Sequence, residues 1–278
     1  MNLGSARPAL AWMVIGLLAA APAVRAAFEA EAQGPAERAA GTALALGLAP
    51  GSPDSPASGA SDRARSTAVS VYGFKPFGLG PVDLAAASVT VPLGRAVTSA
   101  SVSYVRLAAA NYDEQVWTAR VRLACGRAVA EPGVRVGLVE LDGTLEDWAV
   151  LVDLAAATYV TGALEVAVGL ENPFAMGLAA EHGGVPQRLR AGLGVVASGK
   201  LRFGFEVVKE PRFPVSVRSG VDWKVSRGVA VRSGLKTSPA EVAFGIGLTR
   251  GWITFDVASS LNFELGSTHE AGITLRWK

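Results

Sequence analysis

Residues 213–225 read FPVSVRSGVDWKV, and their odd and even positions differ in chemistry. Six of the seven odd positions are apolar, and Ser219 is the exception. The even positions are small, polar or charged: Pro214, Ser216, Arg218, Gly220, Asp222 and Lys224. A period of two is typical of a β-strand whose two faces lie in different environments, so this stretch predicts such a strand.

The same alternation occurs in the neighbouring segments of the C-terminal half. Apolar residues occupy every second position in 201–207, 242–248, 253–257 and 273–277. Short turns with no room for a helix, such as 226–227, separate these segments. Consecutive alternating strands joined in this way predict an antiparallel meander.

The length of these segments indicates whether the apolar face is buried in a core or contacts lipid. A soluble sandwich would bury the apolar face, but its strands usually have about five to six residues. About ten residues at ~3.3 Å each, tilted by ~45°, rise roughly 24 Å, close to the apolar band of an outer-membrane barrel. We therefore expect the apolar face to contact lipid and the polar face, rich in Gly and mixed charges, to line a lumen.

The whole region 67–278 is predicted to be a transmembrane antiparallel up-and-down β-barrel of about fourteen strands. We expect them at 67–74, 82–92, 97–108, 114–125, 129–141, 145–158, 162–170, 187–197, 200–209, 213–225, 228–236, 240–249, 251–259 and 268–277. The longest predicted gaps, 171–186 and 260–267, fall on the same end of this barrel, whereas the turns 198–199 and 226–227 are short. Long outer loops and short periplasmic turns alternate in this way in outer-membrane barrels.

The N-terminus predicts export. Arg7 precedes an apolar run from Ala9 to Ala21, and small residues follow, so 1–26 is predicted to be a signal peptide. Of the 26 basic residues, Arg7 and Arg25 lie in this segment, which leaves 26 − 2 = 24 against 24 acidic residues. A balanced mature chain carries no signal for nucleic-acid binding. We expect the protein in the bacterial outer membrane, with membrane lipid as a partner.

Residues 27–66 form a low-complexity segment rich in Ala, Gly, Pro and Ser. Such a composition predicts a disordered linker. Residues 35–48 could instead form a short helix that plugs the barrel, with Pro35 in its first turn and Pro50 after its end. Both alternatives stay open from sequence.

The sequence gives little sign of catalytic, metal or cofactor chemistry. Its histidines are His182 and His269, both at or near predicted outer loops, and no His/Cys/Asp group has the spacing of metal ligands. The single cysteine, Cys125, is interpreted as a small strand residue. A barrel hydrolase would need a Ser–His pair on a membrane-facing strand with a polar group to orient the histidine. We therefore predict no catalytic residues, no bound metal and no cofactor.

The candidate functional residues are charged side chains on the predicted inner face. They are Arg188, Arg190, Arg202, Glu206, Arg218, Asp222, Lys224, Arg232, Glu241, Asp256 and Arg276. Seven of these eleven are basic, so they could line a pore that prefers anions. They could also form a network of ion pairs that fills the lumen and joins neighbouring strands, and we favour this network because long Arg side chains would occupy much of a modest bore.

Several short segments add a family resemblance. Phe74-Lys75-Pro76-Phe77-Gly78-Leu79, Glu171-Asn172-Pro173-Phe174 and the stretch 185–193 resemble PorV/PorQ-type outer-membrane proteins, relatives of FadL-like fourteen-stranded barrels. The resemblance implies a non-enzymatic barrel in transport or in an envelope or secretion function, with envelope or secretion proteins as partners. The Asn-Pro-Ala-Gly-like hatch motif of such proteins is missing, since 28–66 contains no Asn.

Two alternatives accompany this prediction. The first is a structural or partner-binding barrel with a filled lumen and no transport. The second, from a different class, is a membrane-embedded hydrolase, which the two histidines make less favourable. Conductance of the purified protein would separate the first alternative from a channel.

Overall fold

The computed structural model describes residues 66–75, 82–94, 96–141, 144–173, 187–211 and 213–277. These residues form fourteen β-strands: β1 (Thr67–Lys75), β2 (Asp83–Pro92), β3 (Val97–Ala109), β4 (Tyr112–Cys125), β5 (Ala128–Leu141), β6 (Thr144–Tyr159), β7 (Leu164–Glu171), β8 (Arg188–Ser198), β9 (Leu201–Lys209), β10 (Ser216–Lys224), β11 (Val229–Thr237), β12 (Ala240–Arg250), β13 (Ile253–Asn262) and β14 (Gly266–Trp277). The predicted signal peptide, the low-complexity segment up to residue 65 and the helix at 35–48 lie outside the described residues.

The strands form one closed antiparallel barrel in which each strand pairs with its neighbours in sequence. β1 and β14 close it, with Thr67 opposite Trp277 and Lys75 opposite His269. The predicted barrel class and strand number are therefore confirmed. We call the end that holds Thr67 and Trp277 the terminal end, and the opposite end the loop end.

Within the ranges that the structure describes, no helix is long and apolar enough to cross a bilayer.

The predicted long gap at 260–267 is wrong, because β13 extends to Asn262 and β14 begins at Gly266. Two prolines also interrupt the regular strand pattern. β10 begins at Ser216 instead of residue 213, because Pro214 has no amide hydrogen to donate and Phe213 N–H bonds back to Glu210 O in a turn. Pro132 lies inside β5, where it pairs with Leu154 of β6. On the other side of β5, the pairing with β4 is interrupted between Arg120 and Leu123. This interruption is expected because Pro132 has no amide hydrogen to donate to β4.

The two faces of the barrel wall have opposite chemistry. In β10, Ser216, Arg218, Gly220 and Asp222 are buried, while Trp223 is half exposed. Most of the exposed large side chains of the barrel are Val, Leu, Ile or aromatic residues, and many buried ones are charged or hydroxylic. A water-soluble barrel would show the reverse, so this distribution is that of a wall with lipid outside and polar groups inside.

The inner face differs from the sequence prediction in its N-terminal half. Tyr72, Leu84, Val105 and Val116 belong to a buried apolar cluster on β1–β6, and Val105 is only 1% exposed. The cluster lies toward the loop end, because its members are near the end of β1, the start of β2 and the end of β3. Frequent Ala on both faces of β2 and β6 hides this arrangement in the sequence, where we expected a polar inner face throughout.

An arginine scan along β9 should reveal the depth of the membrane. Phe205 is 44% exposed at the middle of β9, and Leu201 lies on the same face at the terminal end. Phe205→Arg should lower the free energy of unfolding by about 2–4 kcal/mol, because the bilayer midplane solvates a guanidinium poorly. Leu201→Arg, near the interface, should cost about 0–1 kcal/mol. Urea unfolding in lipid vesicles measures both, and equal costs at the two depths would contradict a spanning strand.

Candidate functional site in the barrel lumen

The eleven predicted lumen residues fall into three groups by burial. Six are buried: Arg190, Glu206, Arg218, Asp222, Arg232 and Asp256. Four are partly buried: Arg188, Arg202, Glu241 and Arg276. Lys224 is exposed at the terminal end of β10. The buried six form two ionic networks at different heights, both on the wall made by β7–β13.

The first network, which we call the loop-end network, consists of Glu171, Arg188, Arg190, Glu206, Glu210 and Arg218. Arg188 Nε lies 3.0 Å from Glu210 Oε2, and its Nη1 lies 3.4 Å from Glu171 Oε2. Arg190 Nε lies 2.8 Å from Glu171 Oε1. These contacts connect the end of β7 to the start of β8 and to the residue after β9.

Glu206 is at the centre of the loop-end network and is 0% exposed. Its two carboxylate oxygens lie 3.9 Å from Arg190 Nη1 and 3.9 Å from Arg218 Nη1. The register places it beside Gly192 of β8 and opposite Arg218 of β10. A carboxylate removed from water is tolerated only with nearby cations, and the two flanking guanidinium groups supply them.

The second network, the terminal-side network, consists of Asp222, Arg232 and Asp256. Arg232 Nε donates to Asp222 Oδ2 at 3.3 Å, and Arg232 Nη1 donates to Asp256 Oδ1 at 2.6 Å. Asp222 faces Arg232 directly across β10 and β11, but Asp256 is two strands away from Arg232, on β13. The guanidinium must therefore cross the width of β12.

Glycine on β12 makes that crossing possible. Gly247 lies opposite Asp256, and a Cβ built on it would come within 2.5 Å of Asp256 Oδ1 and 2.9 Å of Arg232 Nη1. Any larger residue would thus occupy the space of the ion pair. The close approach of the ion pair to the strand explains why residue 247 is a glycine.

Several functional side chains were missed by the sequence analysis. Glu171 and Glu210 complete the loop-end network, and Arg135 Nη2 donates to Asp153 Oδ1 at 2.8 Å on β5 and β6. The spacing of Glu131 and Arg135 about Gly133 was an available signal for the inner face. The added acids balance the basic residues, so the excess of seven bases among eleven candidates gives no reason for anion preference.

One of the two histidines can be placed. His269 lies in β14 near the loop end, within the predicted strand 268–277, and its Nδ1 is 3.1 Å from Ser259 Oγ on the outer face. No carboxylate or amide orients its second ring nitrogen in the part of the chain that the structure describes. The pair alone lacks the third group of a triad. His182 lies outside the described residues.

Metal ligation can be assessed for the same part of the chain. No group of three His, Cys, Asp or Glu side chains that could hold a metal ion is found among the described residues. The buried carboxylates Glu206, Asp222 and Asp256 face guanidinium groups instead. Their arrangement holds fixed charges of both signs on the inner face of the barrel.

Solved structures of outer-membrane proteins resemble this barrel. Omp33, an outer-membrane protein of Acinetobacter baumannii, superposes with a TM-score of 0.52 at 10% identity, over 77% of this chain and 98% of that one. The chain has the fold of an outer-membrane β-barrel. An engineered Rh. blastica porin matches with a TM-score of 0.47 at 8% identity, over 76% of this chain and 99% of that one. The KdgM porin matches with a TM-score of 0.45 at 10% identity, over 76% and 99%.

These likenesses concern the fold only, and the argument for it rests on Omp33. No protein-family model matches the chain, and no curated protein matches it either. The barrel assignment is supported further by the closed topology and by the chemistry of the two wall faces. Any function has to be argued from the residues of the barrel itself.

Proposed function

We propose that the protein is a non-enzymatic outer-membrane channel for small polar solutes and ions, exported by the signal peptide at 1–26. The observation that carries this proposal is the charged inner face of a closed barrel whose outer face is apolar. Buried charges are costly unless they are paired with opposite charges or face a polar environment. In a barrel surrounded by lipid, the lumen can supply that environment.

The two ionic networks favour the interpretation that the lumen is narrow. Arg190, Arg218 and Arg232 project from one wall, and the apolar cluster with Tyr72 and Val105 thickens the opposite wall toward the loop end. A barrel of fourteen strands is only moderately wide, so such side chains restrict passage to small solutes. Because acids and bases alternate in the networks, we propose weak selectivity between cations and anions.

Conductance in planar bilayers tests this proposal. The wild-type protein should give a small single-channel conductance. The triple variant Arg190→Ala, Glu206→Ala and Arg218→Ala should raise the conductance several-fold, because it removes three side chains from the lumen. Replacing Glu206 together with the two arginines avoids a buried carboxylate without its cations. Lys209→Ala is the matched control, because Lys209 lies on β9 outside the lumen, with its ammonium 2.8 Å from Phe213 O.

A second candidate function is a structural or partner-binding barrel with a filled lumen. It is favoured by one observation, the near-complete burial of Glu206 and Asp222, the latter 2% exposed. In that case neither the wild type nor the triple variant would conduct, although both would show the mobility shift of a folded barrel on an unboiled gel. That outcome would contradict the channel.

The resemblance to PorV/PorQ-type proteins remains a sequence-based prediction. A role in secretion would require a partner at one rim of the barrel. Cross-linking in intact cells from exposed turn residues of the loop end, such as Asn111 and Leu265, followed by mass spectrometry, would test this role. Recovery of no envelope protein would contradict a role in secretion.

A further inference from the structure

A belt of small residues runs along the inner face of the barrel wall, between the loop-end network and the terminal-side network. The strand register places its members directly opposite one another in successive strands. They face the lumen, because residues that alternate with them, such as Phe205 and Phe244, are exposed on the outer face. We call this set the inner belt, and it consists of Gly194 (β8), Gly204 (β9), Gly220 (β10), Gly234 (β11) and Ala243 (β12).

The inner belt is shielded from water although it carries no side chain beyond Cβ. Gly204, Gly220 and Gly234 are buried, and Ala243 is 2% exposed. A barrel of fourteen strands about 4.8 Å apart and tilted by ~40° is roughly 28 Å across between opposite backbones. Because a glycine on one wall cannot touch the other wall, atoms from elsewhere must cover the belt.

The ionic networks on either side run beside the inner belt rather than over it. On the loop side, Arg218 extends toward Glu206, which lies directly opposite it on β9. On the terminal side, Arg232 donates to Asp222 in the same row and to Asp256, which is further from the belt. These contacts hold the long side chains along the border of the belt.

Two buried polar atoms flank the belt on β10. Arg218 Nε and Asp222 Oδ1, on either side of Gly220, are shielded from water and have no hydrogen-bond partner among the described residues. Both residues are more than nine-tenths buried. Buried polar groups are normally hydrogen-bonded, and a polypeptide backbone offers both the acceptor and the donor that these two atoms need.

The wall formed by β1–β6 has a different requirement. Ala86, Val105 and Ala149 of its apolar cluster face the lumen, and each is less than 5% exposed. Apolar groups stay out of water in a lumen only where other apolar groups cover them. The occupant of the lumen must therefore present small apolar side chains to one wall and backbone polar groups to the other.

The chain before β1 meets both requirements. Residues 27–65 join the barrel at Ser66, at the terminal end, and fully extended they span roughly 130 Å, several times the ~25 Å height of the apolar band. They are rich in Ala, Gly, Pro and Ser, which permit close approach to glycine. Within them, 39–49 reads AAGTALALGLA and suits the apolar wall.

We propose that residues 27–65 lie inside the barrel, between the inner belt and the apolar cluster, and narrow its bore. The segment 174–186 is a poorer occupant, because both of its ends are held at the loop end and it reaches inward by roughly 20 Å at most. Only the narrowing of the bore rests on the proposed channel function; occupancy of the lumen does not.

A disulfide scan of the full-length barrel tests this placement. In a Cys125→Ser background, Ala243→Cys is combined with a cysteine at every third position from 28 to 61, and the assembled protein is oxidised. At least one pair should cross-link. Phe244→Cys, the outward neighbour, is the matched control and should cross-link with none of them. Failure of every pair with Ala243→Cys, or equal cross-linking from Phe244→Cys, would overturn the proposal.

Trypsin provides a second, independent readout. In the assembled wild type, the bond after Arg38 should resist trypsin under conditions that cut it in the heat-unfolded chain. Gly220→Leu, which adds bulk to the inner belt, should speed this cleavage several-fold, whereas Ser219→Leu, one residue away on the outer face, should not. Ala243→Leu replaces Gly220→Leu if the latter lacks the unboiled-gel shift of an assembled barrel. Cleavage of the wild type as fast as the unfolded chain would contradict lumenal placement.

Conductance separates this inference from the proposed function. Deleting residues 30–60 should raise the single-channel conductance several-fold, because the occupant of the bore is removed. An unchanged conductance in a conducting barrel would contradict the occupant. No conductance from either protein, together with cross-links from Ala243→Cys, would contradict the channel and leave the segment inside the barrel.

Discussion

Deleting residues 272–278 should abolish barrel assembly completely. This stretch contains half of β14 and pairs with Thr67–Tyr72 of β1 on one side and with Ile253–Asp256 of β13 on the other. Without it, two rows of backbone N–H and C=O groups would face lipid without partners, at several kcal/mol for each group. The expected result is a protein that is exported but not inserted.

The matched control is deletion of residues 30–60, which should leave insertion unchanged because β1 begins only at Thr67. Fractionation of the cell envelope and mobility on an unboiled detergent gel measure both outcomes. Normal insertion of the C-terminal truncation would show that β14 does not close the barrel.

Arg232→Met should give the largest loss of stability of any single substitution in the lumen. The substitution keeps part of the aliphatic stem but removes the guanidinium that pairs with both Asp222 and Asp256. Removing one member of a buried ionic group typically costs about 3–5 kcal/mol. The midpoint of urea unfolding in lipid vesicles measures this loss.

Two further variants assign the cause of that loss. Adding Asp222→Asn and Asp256→Asn to Arg232→Met should recover most of the stability, because the uncompensated charges are gone. Arg106→Met breaks an exposed pair with Asp113, and this should cost at most about 1 kcal/mol. A similar loss for Arg232→Met and Arg106→Met, or no recovery in the triple variant, would contradict the role given to the terminal-side network.

The sequence allowed the barrel to be predicted because lipid imposes a simple rule on the C-terminal half. Each outward position of β9 from Leu201 to Val207 is apolar, and each inward position carries Arg202, Gly204 or Glu206. The same rule failed on β1–β6, where the inner face is itself apolar toward the loop end. Ala is small enough for either face, so Ala85, Ala86 and Ala87 give no alternation to read.

Periodicity also identified six of the eleven buried charged side chains of the described residues. It missed Glu114, Glu131, Asp153, Glu165 and Glu270, and it did not identify ion-pair partners. Partners depend on register, and the reach of Arg232 to Asp256 depends on glycine in the intervening strand. The register of β1 against β14, which places Gly73 opposite Ala271, could not be derived from the alternation either.

A cysteine scan along β9 tests the central claim most directly. Each residue from 201 to 209 is replaced in turn by a spin-labelled cysteine, in a Cys125→Ser background that removes the single native thiol. Collision with oxygen, which is concentrated in lipid, should peak at Leu201, Phe203, Phe205 and Val207, with the maximum at Phe205. The positions between them should show low oxygen access. High access of a water-soluble nickel reagent at Phe203 and Phe205 would contradict a membrane-spanning barrel.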